Sequence, residues 1–449
     1  MFQRSILDSL TVWRNSPRRK PLVIRGARQT GKTSAVHLFG KTFKHYLYFN
    51  LERPEDREVF IRHSDFNLMV QALLLSRSVP KADIPETLLF LDEIQTMPDL
   101  ISQFRYFFEE LPELAVIGAG SLLETLFTEN QPFPVGRVEY KMVRPLSFGE
   151  FLAALGEQQA LEAFHTVPLP VYAETKLFQL FHLYAMIGGM PEAVQCYIDT
   201  RDLVQLRPVY DGLLLGYQDD AEKYSGGKSQ TAHLRFVLKT LTSEAGRRIR
   251  FEGFGKGPYK SREVGEALRL LEKAFLIQLV YPCTEARIPL VPDYKKSPRL
   301  QFLDSGLLSY ANGYQQDLLG TKDLSKHFQG LIIEHLVGQE MLSVSESPRS
   351  SLQFWVRDKN TSSAEVDYLL CHNGRVIPVE VKSGPAGRLK SLLLVAEQFQ
   401  LPFAIRLYAG HLHMTEEKTP LGHSFKLLHL PYFLASRIQA YTDFFSSEK

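Results

Sequence analysis

Apolar residues along the first third of this chain follow two alternating patterns. Ile6, Leu7, Leu10, Val12 and Trp13 recur at helical spacing over residues 3–16. Val23-Ile24, Tyr46-Leu47-Tyr48-Phe49, Leu88 to Leu91 and Leu114-Ala115-Val116-Ile117 are instead short and unbroken, the pattern of strands buried on both faces of a parallel sheet. Residues 53–75 return to a helical pattern, and the segment from Pro80 to Pro85 interrupts it. Such alternation predicts an α/β domain with a parallel sheet over residues 1–145.

The pattern then changes. Residues 146–224 are helical throughout, with Phe148, Phe151, Leu152 and Leu155 on one face and Leu177, Leu180, Phe181 and Tyr184 on another. Gly188-Gly189 followed by Pro191 reads as a helix stop and a new start, and Asp219, Asp220, Glu222 and Lys223 as a solvated helix end. In residues 225–315 an amphipathic helix (234–245) precedes a basic, glycine-rich stretch with Arg247, Arg248, Arg250, Lys256, Lys260 and Arg262. A second helix carrying Val264, Leu268, Leu271 and Phe275 then leads into the strand Leu276 to Tyr281. Helix, helix, strand is the order of a winged helix-turn-helix, whose basic residues suit phosphate contacts or, in a plain connector, simply face water.

Residues 316–449 predict a second α/β layer. Phe328 to Leu342 is a helix, largely apolar around Glu334, in which His335 reads as a core histidine. Strands follow at Phe354 to Val356 and on both sides of Asn373-Gly374, then a helix (Leu389 to Phe399), a strand (Phe403 to Tyr408), edge structure (His423 to Leu430) and a terminal helix (Tyr432 to Phe445).

Composition narrows the class only a little. A chain of 449 residues is too long for one ordinary core, and 44% hydrophobic with 23% charged residues is typical of soluble globular proteins. A net charge of +2 gives no whole-chain argument for a nucleic-acid partner, so any basic surface must be local. Cys196, Cys283 and Cys371 are far apart, which argues against a disulfide scaffold or zinc site and for a reducing cytoplasm. No apolar run is long enough to span a bilayer, and Phe2-Gln3-Arg4-Ser5 opens no secretory h-region, so a soluble, unexported protein without a membrane partner is expected.

Two motifs in the first domain carry chemistry. Gly26-Ala27-Arg28-Gln29-Thr30-Gly31-Lys32-Thr33 lies between a strand end and a helix start, in the form G-x-x-x-x-G-K-T. Glycines at this spacing let successive N–H groups turn inward on a phosphate, while the following helix adds its positive end. Lys32 would reach the β and γ phosphates, and Thr33 would offer its hydroxyl to Mg²⁺. The run Thr87 to Leu91 ends in Asp92-Glu93, where ligands bind in open α/β sheets. Asp92 would hold the Mg²⁺ shell and Glu93 would act as general base on the attacking water. Ser121, after the strand end Gly118-Ala119-Gly120, is a candidate γ-phosphate sensor or a helix cap. Arg137, in the loop from Pro132, is a candidate to reach a phosphate in its own or a neighbouring subunit, or a plain surface arginine.

A third constellation lies near the C-terminus. With Asn373-Gly374 as a two-residue turn, His372 faces Arg375, and counting outward sets Asp367 opposite Glu380 and Glu365 opposite Lys382. All four then share one face of the hairpin, with Val366, Tyr368, Val379 and Val381 on the other. Opposed carboxylates repel unless something positive lies between them, and Mg²⁺ is the natural occupant. A polar sheet face with an exposed ion pair is the plainer alternative.

These motifs, with Phe90 to Gln95 (F-L-D-E-I-Q), Arg144 to Leu152 (R-P-L-S-F-G-E-F-L) and Ile187 to Pro191 (I-G-G-M-P), resemble the prokaryotic AAA-type ATPases that carry a fused restriction-endonuclease-like module. Gly118-Ala119-Gly120-Ser121 departs from the Thr-Gly-Ser type of strand end that this family leads one to expect. The resemblance implies ATP and Mg²⁺ as ligands, a helical lid over the nucleotide and a possible homo-oligomer. It also implies a C-terminal PD-(D/E)xK fold acting on DNA. In that fold Asp367, Glu380 and the helix residue Glu334 would hold Mg²⁺, and Lys382 would position water or stabilise the phosphate. The alternative is a regulatory switch whose C-terminal module is catalytically inactive and binds DNA or protein.

Overall fold

The computed structural model describes residues 1–63, 65–120, 136–223, 227–315, 331–358, 364–384, 387 and 389–447. They form two compact units: Met1–Arg144 with Lys273–Phe275 and Glu346–Arg349, and the remainder from Pro145 onward.

In the first unit β1 (Leu22–Arg25), β2 (His45–Asn50), β3 (Thr87–Asp92), β4 (Ala115–Ala119) and β5 (Glu139–Met142) make one sheet in the order β2-β3-β4-β1-β5. Every pairing is parallel. The unbroken apolar runs are explained by cover on both faces. Alternate residues Val23, Leu89, Leu91 and Val116 pack under α4 (Phe66–Ser76) and α5 (Pro98–Glu110). Leu22, Ile24, Leu88, Phe90 and Ile117 pack under α1 (Ile6–Arg14) and α2 (Lys32–Gly40). The helical stretch after residue 53 divides into α3 (Pro54–Arg62) and α4.

The second unit begins with α6 (Phe148–Leu155), whose start is closed by a capping box between Ser147 and Glu150. Then come α7 (Gln158–His165), α8 (Glu174–Ile187), α9 (Pro191–Thr200), α10 (Arg207–Lys223), α11 (Lys228–Glu244) and α12 (Ser261–Lys273). As the glycines and proline require, α8 stops at Gly188, at φ +71°, and α9 restarts with Pro191 in its first turn. The antiparallel pair β6 (Ile277–Val280) and β8 (Arg299–Phe302) follows α12, and α13 (Ser305–Ala311) follows β8. Strands β7 (Pro282–Cys283), β9 (Phe354–Val356) and β10 (Glu365–Val366) form a three-stranded sheet in the order β10-β9-β7. Strands β11 (Tyr368–His372), β12 (Arg375–Val381), β13 (Phe403–Tyr408), β14 (His413–Lys418) and β15 (Ser424–Pro431) form a mixed sheet in the order β11-β12-β13-β15-β14. The helix Leu331–Ser343 is buried, His335 included at 1% exposure, where its Nε2 accepts from the Phe302 N–H and burial holds its pKa down to about 4.

The hairpin register holds only part of the way. Pairing runs from His372↔Arg375 to Tyr368↔Val379, as the Asn-Gly turn dictates, and then stops. Beyond it, Asp367 and Glu380 are not a ladder pair, nor are Glu365 and Lys382; Glu365 instead faces Val356 across β10 and β9. The reason is local. In continued register the Val381 N–H would meet the Val366 carbonyl, but the Asp367 carboxylate accepts it at 2.7 Å, and the strand breaks there.

A second contact missing from the sequence reading joins α8 to α13. Asp304, fully buried, accepts from the Gly306 and Leu307 N–H groups at 2.9 and 3.0 Å, capping α13, and from the Gly189 N–H at 2.6 Å. A Cβ on Gly188 would stand 2.1 Å from its Oδ1, and one on Gly189 equally close to the Leu146 carbonyl. The Gly-Gly pair therefore ends a helix and also makes room for a buried carboxylate. Cys196, Cys283 and Cys371 are all free.

Candidate functional site

The loop between β1 and α2 is shaped by three residues with positive φ: Gly26 (+147°), Gln29 (+63°) and Gly31 (+93°). A side chain at Gly26 would put Cβ 2.1 Å from the Val143 carbonyl, so only glycine fits. Thr30 is buried and its hydroxyl donates to the Ala27 carbonyl at 2.9 Å, while Arg28 and Gln29 are exposed at the loop's crest. Lys32 is 6% exposed and folds back, its Nζ donating to the Gly26 and Ala27 carbonyls at 3.1 and 2.8 Å. The ammonium is thus stored inside the loop it would serve.

Strand β3 delivers the acids. The Thr33 hydroxyl donates to Asp92 Oδ2 at 2.9 Å, joining the start of α2 to the end of β3. Asp92 is 4% exposed, and burial, followed by the charge of Glu93, pushes its pKa up to about 6 against the Thr33 hydrogen bond. Glu93 sits at φ +53°, its carboxylate taking a hydrogen bond from Gln95 Nε2 and its N–H donating to Asp92 Oδ1 at 3.1 Å. A hydroxyl and a carboxylate in contact beside a phosphate-sized loop are hard oxygen donors that suit Mg²⁺. Two neighbours of this site carry no motif: Tyr48, whose hydroxyl lies 3.4 Å from Asp92 Oδ2, and Arg4, which donates to the Thr30 and Arg144 carbonyls at 3.0 and 2.6 Å.

Ser121 lies outside the described residues. Arg137 precedes β5, and because Glu139 is level with Leu22 at the start of β1, it sits at the opposite end of the sheet from the loop that follows Arg25. It is exposed and pairs with Glu109 at 3.1 Å, beside Arg18, Arg19 and Lys20, which line the same open recess. That geometry removes its own P-loop from its reach.

The C-terminal carboxylates do come together, around a residue the sequence reading did not single out. Arg299 of β8, 5% exposed, is ion-paired to Glu334 and Glu365, stands 3.9 Å from Asp367 Oδ1 and donates to the Asp367 carbonyl at 3.0 Å. Glu380 is paired with Lys382 and is 6% exposed. Burial, then Asp367, pushes Glu380 up to about 7. Burial likewise raises Glu334 to about 8, with Arg299 opposing it. Among the described residues, no three His, Cys, Asp or Glu side chains are grouped so as to hold a metal ion. The positive groups among these acids are the Arg299 guanidinium, beside Glu334, Glu365 and Asp367, and the Lys382 ammonium, beside Glu380.

No helix of the described residues is long and apolar enough to cross a membrane. No curated protein matches the sequence. Among solved structures the chain is similar to the ORC1 protein of Aeropyrum pernix in complex with DNA, at 14% identity and a TM-score of 0.30, covering 70% of this chain and 91% of that one. It is similar at 13% identity and a TM-score of 0.25 to AMPPCP-bound DnaA from Aquifex aeolicus, covering 60% of this chain and 86% of that one. A STAND protein with a tetratricopeptide repeat sensor from Pyrococcus horikoshii gives 11% and 0.29, covering 75% of this chain and 47% of that one. The families matched by sequence are an AAA domain over residues 18–152 and two domains of unknown function, DUF8612 over 178–318 and DUF4143 over 329–433. With its parallel sheet in the order β2-β3-β4-β1-β5 and its glycine loop feeding α2, the N-terminal segment has the P-loop fold of the AAA domain family that it matches.

Proposed function

We propose that the chain binds and hydrolyses ATP at this loop and uses the cycle to control a C-terminal, restriction-endonuclease-like module that engages DNA. The observation that carries the first half is the Thr33–Asp92 hydrogen bond of 2.9 Å, which brings the loop helix and the acidic strand together at one point. The N–H groups of Gly26 to Thr33 cradle the phosphates, and Lys32 leaves the Gly26 and Ala27 carbonyls for the β and γ oxygens. Thr33 and Asp92 would hold Mg²⁺, which neutralises phosphate charge when bound. Glu93 orients the attacking water and takes its proton. Ser121 keeps its proposed role as sensor. Arg137, pointing away from its own site, serves the nucleotide of a second copy, which makes the active form a homo-oligomer.

DNA is the proposed partner of the second unit because Arg247, Arg248, Arg250, Lys256, Lys260 and Arg262 are all exposed between α11 and the first turn of α12. In the proposed division, residues 146–224 act as lid, 225–315 as winged-helix connector and 316–449 as the endonuclease-like part. Lys32→Ala is expected to abolish ATP binding, and Glu93→Gln to keep binding while stopping phosphate release. Unchanged turnover in both proteins refutes the ATPase reading. For DNA, a duplex gel shift by the full chain should weaken steeply between about 50 and 200 mM salt. A shift absent even at low salt refutes it.

A further inference from the structure

Four carboxylates, Glu334, Glu365, Asp367 and Glu380, converge in the second unit, and like charges this close repel unless a proton or a cation offsets them. Two kinds of cation could supply it. Mg²⁺ needs about six oxygens at roughly 2.0–2.1 Å in octahedral array. A guanidinium needs planar acceptors at the tips of its fork.

Two of the four carboxylates are committed to the second, and of the other two only Glu380 Oε2 is buried without a hydrogen-bond partner. Glu334 and Glu365 each give an oxygen to Arg299, Asp367 Oδ2 accepts the Val381 N–H at 2.7 Å, and Glu380 Oε1 faces Lys382. Arg299 is also fixed from behind. Its guanidinium lies 4.6 Å from the Phe354 ring, and its backbone is level with Val280 in β6 and bridges to Arg248. Withdrawing it would strip a charge from a buried, aromatic-backed slot and undo two ion pairs.

We infer that Arg299 is the resident cation of this cluster and that the C-terminal module takes no divalent cation there. The contacts of Arg299 to Glu334, Glu365 and Asp367 then tie β8 to the helix Leu331–Ser343 and to the junction of β10 and β11, the Glu380–Lys382 pair closes the end of β12, and the module engages its ligand without metal. This stands apart from the ATPase reading, since every residue involved belongs to the second unit.

The test is Mn²⁺ binding, followed by electron paramagnetic resonance, on the nucleotide-free full chain carrying Asp92→Asn to silence the P-loop. Adding Glu380→Gln is expected to leave the isotherm unchanged within about twofold; loss of a bound Mn²⁺ on that substitution overturns the inference. Arg299→Met is expected to gain one bound Mn²⁺, lost again with Glu380→Gln, and a Mn²⁺-dependent rise in Tm. A folded Arg299→Met protein that gains no site also overturns it. Should that variant fail to fold, the Glu380→Gln comparison decides alone.

Discussion

Replacing Gly188 by alanine tests whether the Gly-Gly pair exists to seat Asp304. Two penalties add at this position. A non-glycine residue at φ +71° and ψ −168° costs about 1–3 kcal/mol on backbone grounds alone. The new Cβ, 2.1 Å from Asp304 Oδ1, also pushes the carboxylate off the N–H groups of Gly189, Gly306 and Leu307. Each buried donor left unsatisfied costs about 1–3 kcal/mol, so for three donors this second penalty is roughly 3–9 kcal/mol before the relief of an acid whose pKa burial pushes up to about 6. Asp304→Ala loses the same three bonds and should be destabilised by about as much. In the double variant the clash is gone, and Gly188→Ala should then add only the backbone penalty. The cycle should therefore show a coupling of about 3 kcal/mol, well above the ~0.5 kcal/mol expected of independent sites. Guanidinium unfolding of the four proteins in a Trp13→Phe background isolates the signal of Trp355, which is buried in the same unit as Asp304. Additivity within about 0.5 kcal/mol would refute the reasoning.

Two further outcomes follow from single buried contacts. Gly26→Ala must displace the Val143 carbonyl or the loop, and its nucleotide affinity should fall by at least about tenfold, equivalent to ~1.4 kcal/mol, with Tm changed little; calorimetric titration with ATP checks it. Glu340 is fully buried and burial pushes its pKa up to about 7 from 4.5, so between those values the folded state holds a proton that the unfolded state has released. Stability must then fall as pH rises through that window, by up to about 3 kcal/mol, and level off above it. Glu340→Gln should match the wild type near pH 4.5 and exceed it by up to about 3 kcal/mol at pH 8, read from urea midpoints; a gap independent of pH contradicts the assignment.

Legibility tracked the distance over which a residue's environment is set. Leu88 to Leu91 could be read as a buried strand because cover on both faces leaves an unbroken apolar run. The phosphate loop was legible because its geometry depends on glycines a few residues apart. The hairpin around Asn373-Gly374 could be counted as far as Tyr368↔Val379, where only neighbouring backbone groups compete. Counting failed at Asp367 because a side chain took the ladder's N–H, which alternation cannot foresee. Arg299 and Asp304 escaped for a related reason. A strand reading of Arg299-Leu300-Gln301-Phe302 gives no hint that the arginine faces Glu334 and Glu365, which lie far along the chain. Asp304 caps α13 through two local bonds, but its third, to Gly189, joins it to a distant stretch of sequence.

The helix Leu331–Ser343 shows how such long-range polar contacts organise the second unit. A helix buried all round should be apolar all round, yet this one carries Glu334, His335, Gln339 and Glu340 inward. Each answers a backbone or charged group that has no partner within its own element. Glu334 meets the Arg299 guanidinium, and His335 accepts the Phe302 N–H. Gln339 accepts the Ser305 N–H at 2.8 Å and donates to the Tyr184 hydroxyl, while Glu340 accepts the Phe148 N–H at 2.9 Å. Ser305 and Phe148 open α13 and α6, where the first N–H groups of a helix have no internal acceptor. One buried helix thus completes a strand and two helix starts contributed by distant stretches of sequence. Its polar residues fix which elements dock where, and apolar substitutes of equal volume would leave those donors unpaired in the core.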